Sequence, residues 1–292
     1  MSTSAACRHA LAAFVIFVLA APCSAAPAVE ESRLTLGVFP GVESGQTESF
    51  QIVDRFIPFA KYLSAKVGSE VLLLPVKLPD AAMQRMAEGK SNYKLFFGPP
   101  VFAADAIRRA GFVPVVVEKD RIRATFVVRS ASKLQTLKDI DPATRVAMPS
   151  PKLLLALLAN ETLSREGISL LPDARKHMSA TEGVVQSLEN DLTDVAVMRD
   201  RAAKKLLADQ PGKYRAIGAS IDAPGFALIA HRSVPETARN RLRQATLALN
   251  DDSSALGAEA RAAVRTSPFV LCKEDEFAEL QRVADRWLPR SK

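Results

Sequence analysis

The sequence predicts an α/β protein of two lobes of similar build, with mostly parallel sheets. Three observations carry this. Short apolar runs alternate with amphipathic helical segments along almost the whole chain, which is the grammar of strand and helix layers. The run after Arg129 repeats the grammar of the run before it. One stretch, Lys94-Leu95-Phe96-Phe97-Gly98-Pro99-Pro100-Val101-Phe102-Ala103-Ala104-Asp105-Ala106, reads as a buried strand broken at Gly98-Pro99-Pro100 and continued as a helix to Arg109. Proline at a first helical turn costs nothing, because the missing N–H has no intrahelical partner there. Such a junction presents free N–H groups and the positive end of a helix dipole to whatever lies above it. Taken alone, it is also the ordinary strand-to-helix turn of an α/β protein.

With 292 residues the chain has room for one large domain or two smaller ones. Hydrophobic residues make up 48% and charged residues 24%, a normal globular balance. The formal net charge of +7 permits attraction to anions, but Lys and Arg are spread along the chain. With no basic arm and no basic–aromatic interleaving, no nucleic-acid partner is expected.

Residues 1–26 are a different kind of sequence. A weakly basic start at Arg8 and His9 precedes the apolar run Ala10 to Ala21, then Pro22 and the small residues Cys23-Ser24-Ala25-Ala26. This reads as a secretory signal peptide. A membrane anchor fits less well, because the run falls short of the ~20 residues a spanning helix needs. Lipidation of Cys23 is the other alternative, and Pro22 fits it poorly. Cleavage after Ala25 or Ala26 leaves Cys272 as a single thiol, so no internal disulfide is expected. Its apolar neighbours Phe269-Val270-Leu271 mark it as a buried structural cysteine.

In order, Leu34 to Phe39 alternates as a first strand, and Pro40 to Gln46 is rich in turn residues. Phe56, Phe59, Ala60 and Leu63 lie at helical spacing within Phe50 to Val67, with Pro58 expected in the first turn and Gly68 as the stop. Val71 to Val76 is a strand; Pro79 to Gly89 is a helix with Ala82, Met83 and Met86 inward. Tyr93 to Phe97 is the strand before the Gly-Pro-Pro turn, Gly111 ends the helix after it, and Val113 to Glu118 is the next strand. Strands follow at Ala124 to Val128 and Arg145 to Met148, with a short amphipathic segment at Leu134 to Ile140. Lys152 to Glu166 is a strongly apolar helix, and Ser179-Ala180-Thr181-Glu182 caps another that runs to about Asn190. Strand Thr193 to Val197, helix Asp200 to Ala208, a return segment from Tyr214 and strand Phe226 to His231 come next. Helices at Pro235 to Leu249, around Ser253 to Val264 and at Lys273 to Leu288 complete the chain.

Four stretches carry a family resemblance. They are Leu36-Gly37-Val38-Phe39-Pro40; Pro58-Phe59-Ala60-Lys61-Tyr62-Leu63-Ser64-Ala65-Lys66-Val67-Gly68; Leu95 to Pro99 with Ala103-Ala104-Asp105-Ala106; and Glu189-Asn190-Asp191-Leu192-Thr193-Asp194-Val195-Ala196-Val197. In this order they resemble the phosphate, phosphite and phosphonate-binding family of periplasmic substrate-binding proteins of ABC importers. The resemblance implies a type II periplasmic binding fold, two α/β lobes joined by two crossover strands with a ligand cleft between them. Lobe one would take residues 27–126 and 226–292, and lobe two residues 127–225. Ala124 to Val128 and Gly225 to Ala230 are the natural crossovers.

In that family, hydroxyls and helix N-termini hold the oxygens of an anion. The places that correspond here give Phe39, Pro40, Gly98, Pro99, Val101, Ser150, Lys152, Thr181 and Arg199 as expected ligand-binding residues. Ser150 and Thr181 lead this set. Lys152 either supplies a charge to the ligand or is a solvated first-turn lysine, and Arg199 either points into the cleft or pairs with Asp200. The chain departs from the pattern D-P-x-S-x-S-G at Met148-Pro149-Ser150-Pro151-Lys152, where one hydroxyl survives and Pro151 removes a donor. Thr181 stands where a His is common; His177 and His231 read as surface or satisfied structural residues. Phe39, Phe97 and Phe102 are the aromatic candidates for the pocket wall.

Catalysis is not expected. No G-x-S-x-G, H-E-x-x-H or P-loop pattern occurs, and beyond the leader His177, His231 and Cys272 are too few for a typical His/Cys metal site. No cofactor and no metal are expected. The function implied is an exported receptor for a small anionic ligand, delivering it to an ABC permease in the inner membrane. The alternative is a component that presents its ligand to a membrane sensor.

Overall fold

A computed structural model describes residues 33–41, 49–265 and 267–288. The expected signal peptide and most of the loop from Pro40 to Gln46 lie outside the described residues. In chain order the first half gives β1 (Leu34–Val38), α1 (Ser49–Val67), β2 (Val71–Pro75), α2 (Pro79–Ala87), β3 (Leu95–Gly98), α3 (Pro100–Arg109) and β4 (Phe112–Glu118). The middle gives β5 (Ala124–Arg129), β6 (Val146–Pro149), α4 (Leu154–Arg165), β7 (Arg175–Met178), α5 (Thr181–Glu189), β8 (Val195–Arg199), α6 (Asp200–Asp209) and β9 (Tyr214–Ala219). The chain then returns through β10 (Ala227–His231), α7 (Glu236–Ala248), α8 (Ala255–Val264), β11 (Phe269–Val270) and α9 (Ala278–Trp287).

Two sheets result. One has the order β11-β4-β10-β3-β1-β2 and the other β7-β6-β8-β5-β9. Residue alternation sorts side chains to two faces of each sheet. In β3, Leu95 and Phe97 join the core under α1, α7 and α8, and Phe96 joins the core under α2, α3 and α9. In the second sheet, Phe126, Val146, Met148 and Val197 pack on the α4 side, and Val127, Ala147, Ala196 and Met198 on the α5 and α6 side.

The expected mostly parallel sheets are mixed. β1 runs parallel to β2 and β3, and β6 to β7 and β8. β10 inserts antiparallel between β3 and β4, and β5 antiparallel between β8 and β9. The reason is the crossing: a strand that enters from the other lobe arrives against the direction of the βαβ strands.

All of β5 pairs within the second sheet, so an exchange point at 126 cuts through a strand. The change of sheet falls between Glu118 and Ala124 and again between Ala219 and Ala227. These two segments are joined by an antiparallel bridge at Ile122 and Ala223.

Two further expectations change, and one strand has no counterpart in the sequence reading. Pro58 lies in the middle of α1 rather than in its first turn, because the helix starts at Ser49. The carbonyl that Pro58 leaves without a donor belongs to Asp54, an exposed residue. β7, Arg175-Lys176-His177-Met178, is an edge strand without apolar alternation. The N-cap of α5 is Ala180, with no side-chain cap, so Thr181 is the first helical residue.

Candidate functional site

The C-terminal ends of β1 and β3 bring five of the expected residues together. The N–H of Phe39 donates to the carbonyl of Phe97 at 3.0 Å, and its ring meets Phe102 edge-on at 5.1 Å between centroids. At Gly98 an added Cβ would stand 2.7 Å from the Phe96 ring and 3.2 Å from the Phe39 carbonyl oxygen. Only glycine allows β1 and β3 to end this close. At Gly41, with φ +87°, an added Cβ would stand 3.3 Å from the Phe226 ring and 3.7 Å from the Pro99 side chain. Phe39, Pro40, Gly98, Pro99 and Val101 therefore share one rim. Phe97 does not: it is fully buried on the opposite face, among Phe56, Phe59, Phe226 and Phe269.

The rim offers fewer donors than the sequence suggested. Pro99 is the N-cap of α3 and Pro100 its first residue, and neither carries an N–H. The N–H groups of Phe102 and Ala103 both donate to the Pro99 carbonyl, at 3.1 and 3.2 Å. In this turn only the N–H of Val101 is left for a ligand.

The second rim is formed by β7, β6 and β8, which lie side by side and parallel. Ser150 follows β6; its carbonyl accepts from Leu153 at 2.9 Å and closes the turn that contains Pro151 and the exposed Lys152. Thr181 follows β7 and is half-buried at the start of α5. Arg199 ends β8 and is the N-cap of α6, whose first residue, Asp200, donates its N–H to the Arg123 carbonyl at 3.0 Å. Ser150, Lys152, Thr181 and Arg199 thus line one edge of the second sheet.

Acidic residues already sit in the first turns of α5 and α6, Glu182 and Asp200. They offset the positive dipole ends that would attract an anion. His177 is exposed on β7, its Nδ1 2.8 Å from the Pro149 carbonyl oxygen, one strand from the Ser150 turn. His231 shares a bond with Ser233 Oγ at 2.8 Å and stacks edge-on to Phe112. Burial, with Lys94 nearby, holds its pKa below the usual imidazole value.

The cores beside the two sheets are joined by apolar side chains that the sequence reading did not single out. Leu157 of α4 is fully buried and belongs to the same cluster as Phe39 and Val101. Leu154 and Ile221 belong to this cluster and to the core of the second sheet. A signal existed: the run Leu153 to Leu158 is apolar on every side, which marks a helix buried on more than one face. A cavity of about 710 Å³ lies elsewhere, at the far end of β5, between Arg129, Lys133, Glu189 and Asp194. Most of its charges are already paired, Arg129 with Asp191, Asp194 with Arg145, and Glu189 with Lys213 and Tyr214. Among the described residues no group of three His, Cys, Asp or Glu side chains is placed to hold a metal ion, and no helix is long and apolar enough to cross a membrane.

Residues 44–277 match the family model described as the phosphonate periplasmic substrate-binding protein of ABC transporters. No curated protein matches the chain by sequence. Among solved structures, the chain is similar to XAC2383 from Xanthomonas citri, bound to chloride ion, with 15% identity and a TM-score of 0.69 over 87% of this chain and 99% of that one. It is similar to PhnD1 from Prochlorococcus marinus, in complex with methylphosphonate, with 14% identity and a TM-score of 0.63 over 88% and 98%. It is also similar to the aliphatic sulphonate binding protein SsuA from Escherichia coli, with 17% identity and a TM-score of 0.52 over 87% and 86%.

At these identities the likeness is one of fold, the two-lobed type II periplasmic binding fold. The comparisons give no support to a membrane sensor as partner. The family match spans most of the chain and agrees with two sheets exchanged through a paired crossing, so the chain belongs to the periplasmic phosphonate substrate-binding proteins of ABC transporters, a family that binds without catalysis.

Proposed function

We propose that this protein, exported by cleavage of residues 1–26, captures a small organic oxyanion between its two sheets and delivers it to an ABC permease. The observation that carries the reading is the edge of the second sheet. There β6, β7 and β8 lie side by side, and Ser150 with Lys152, Thr181 and Arg199 follow their C-terminal ends, which suits a site shared with Phe39, Pro40, Gly98, Pro99 and Val101 of the other lobe. A hydroxyl, an N–H at a helix start and a cation are the groups that bind phosphonate or sulfonate oxygens.

The count of donors favours a ligand of low charge. Pro99, Pro100 and Pro151 each remove an N–H, and Glu182 and Asp200 occupy first turns. A dianion stripped of water needs more donors than this. An alkylphosphonate monoanion or an alkylsulfonate with an apolar tail against Phe39 and Phe102 suits the site better than inorganic phosphate.

Thermal unfolding of the purified protein against phosphate, phosphite, methylphosphonate, longer alkylphosphonates and alkylsulfonates tests this. The expected result is a rise in Tm with an organic oxyanion, since a ligand at 100 times its Kd adds about 2.7 kcal/mol. Ser150→Ala and Thr181→Ala each remove one hydroxyl bond to a charged oxygen, about 1.5–3 kcal/mol, and lower affinity about 10- to 100-fold. No shift with any phosphorus or sulfur oxyanion refutes the assignment. Full affinity in both variants refutes the site.

A further inference from the structure

One aromatic ring stands where the returning chain reaches the rim of lobe one. Phe226 immediately precedes β10, and its half-buried side chain packs on the core under α1, α7 and α8. Its ring centroid lies 6.0 Å from that of Phe97 in β3. The tip of the same ring reaches the rim: a Cβ added at Gly41 would stand 3.3 Å from Phe226 Cζ and 3.7 Å from Pro99 Cγ. Gly41 follows β1 and Pro99 follows β3, so the ring tip backs the corner where these two segments meet.

The main chain that carries the ring is held on both sides. The Phe226 carbonyl accepts the Glu118 N–H at 2.8 Å, and the Phe226 N–H donates to Glu118 Oε2 at 3.1 Å. Glu118 is buried, and its Oε1 accepts the Ser267 N–H at 3.1 Å. The preceding Gly225 lies against Asp120, whose carbonyl oxygen would be 2.7 Å from an added Cβ. The base of the ring is thus anchored to the end of β4, and buried carboxylates keep such partners because losing them is costly. The donor of the rim depends on the corner that the tip supports. Pro99 is the N-cap of α3, and its carbonyl accepts from Phe102 and Ala103, so the place of Pro99 sets the start of the helix and the direction of the Val101 N–H.

We propose that Phe226 is a positioning residue for anion binding: its ring buttresses the Gly41–Pro99 corner and thereby sets where the Val101 N–H points. It acts through the rim and not on the tail of the ligand, so its effect is the same for short and long tails. This rests on the reading of that rim as one half of an oxyanion site.

Isothermal titration calorimetry of the purified protein with methyl-, butyl- and hexylphosphonate and the matching sulfonates tests it, at a temperature where every variant is fully folded by circular dichroism. Phe226→Leu is expected to raise Kd about tenfold for each probe that the parent binds, the effect of weakening one hydrogen bond to a charged oxygen. Phe226→Met, whose side chain reaches further, gives a rise in the same direction should Phe226→Leu fail to fold. Phe269→Leu is the control: its ring meets Phe97 at 6.1 Å in the same core, so its loss lowers Tm and leaves Kd unchanged. A merely structural Phe226 would behave as Phe269 does, with a lower Tm at the parental Kd, and that result overturns the proposal. A loss that grows with tail length overturns it as well, since the ring would then be a wall for the tail. A parent that binds none of the probes refutes the oxyanion reading itself, and the proposal falls with it.

Discussion

Replacing Gly225 by alanine should cost more stability than any conformational argument about glycine allows. Gly225 lies where the chain crosses back between the lobes, just after the Ile122–Ala223 bridge. A Cβ there would stand 2.6 Å from Glu118 Cβ, 2.7 Å from the Asp120 carbonyl oxygen and 2.8 Å from Glu118 Oε2. The first two cannot rotate away, so backbone must move. Overpacking of this kind costs about 1–3 kcal/mol. The same movement pulls on the Glu118 carboxylate, which is buried and accepts the N–H of Phe226 and the N–H of Ser267, each at 3.1 Å. Losing one of these bonds adds about 1.5–3 kcal/mol. The expected total is about 2.5–6 kcal/mol, read from the midpoint of urea unfolding followed by circular dichroism. Gly212→Ala is the control. Gly212 has φ +79° and nothing within 4 Å of an added Cβ, so it bears only the left-handed strain of about 1–2 kcal/mol. If Gly225→Ala loses no more than Gly212→Ala, the close approach of the two crossing segments is not what the glycine serves.

Two further predictions concern single groups. Burial pushes the Glu161 carboxyl up, but the bonds from Trp287 and Arg165 outweigh it and hold its pKa below the usual value of 4.5. A lowered acid contributes stability that is present above about pH 4.5 and lost as the pH falls through the native pKa. Unfolding midpoints of the parent and Glu161→Gln should therefore differ at neutral pH and converge in acid; a constant gap across the range refutes this. Cys272 is half-buried rather than buried in the core as expected, and its thiol is pushed up to about 12, first by burial and then by the charge of Glu276. At pH 8 its thiolate is then roughly one part in ten thousand, so iodoacetamide should label it only after denaturation. Native labelling at the rate of a free cysteine would show an accessible, ordinary thiol.

Most of the element order is legible in the sequence because both sheets are buried on both faces. Their central strands, such as Leu95-Phe96-Phe97 and Val195-Ala196-Val197, are short continuous apolar runs bounded by turns. Gly89, Gly111 and Gly167 end helices with φ between +68° and +75°, as their positions indicated. What escapes is what lacks a periodic signal. β7 pairs on one side only and exposes Lys176 and His177, so no hydrophobic pattern marks it. The antiparallel insertion of β10 depends on a partner more than a hundred residues away, and local pattern has no access to it. At the site, the residues that follow strands could be picked out because turns carry their own signature. The run Leu153 to Leu158 shows that α4 is buried on more than one face, but not that Leu157 meets lobe one or that Glu161 meets Trp287, since a leucine or a glutamate on a helix gives no sign of which neighbour it meets.

The position of β10 has a consequence for how the chain is assembled. Lobe two is one continuous stretch, β5 to β9, and every strand of its sheet is available once Ala219 has been made. The first sheet is different. Its strand β10 lies in the middle, between β3 and β4, so the pieces on either side have no direct pairing until residue 227 and beyond arrive. Those pairings close a loop of more than a hundred residues, the type of contact that slows folding most. The continuous lobe is therefore the natural first folding unit. Until β10 is in place, β3 and β4 keep unpaired edges rich in phenylalanine and valine, and for that interval they are open to mispairing and aggregation.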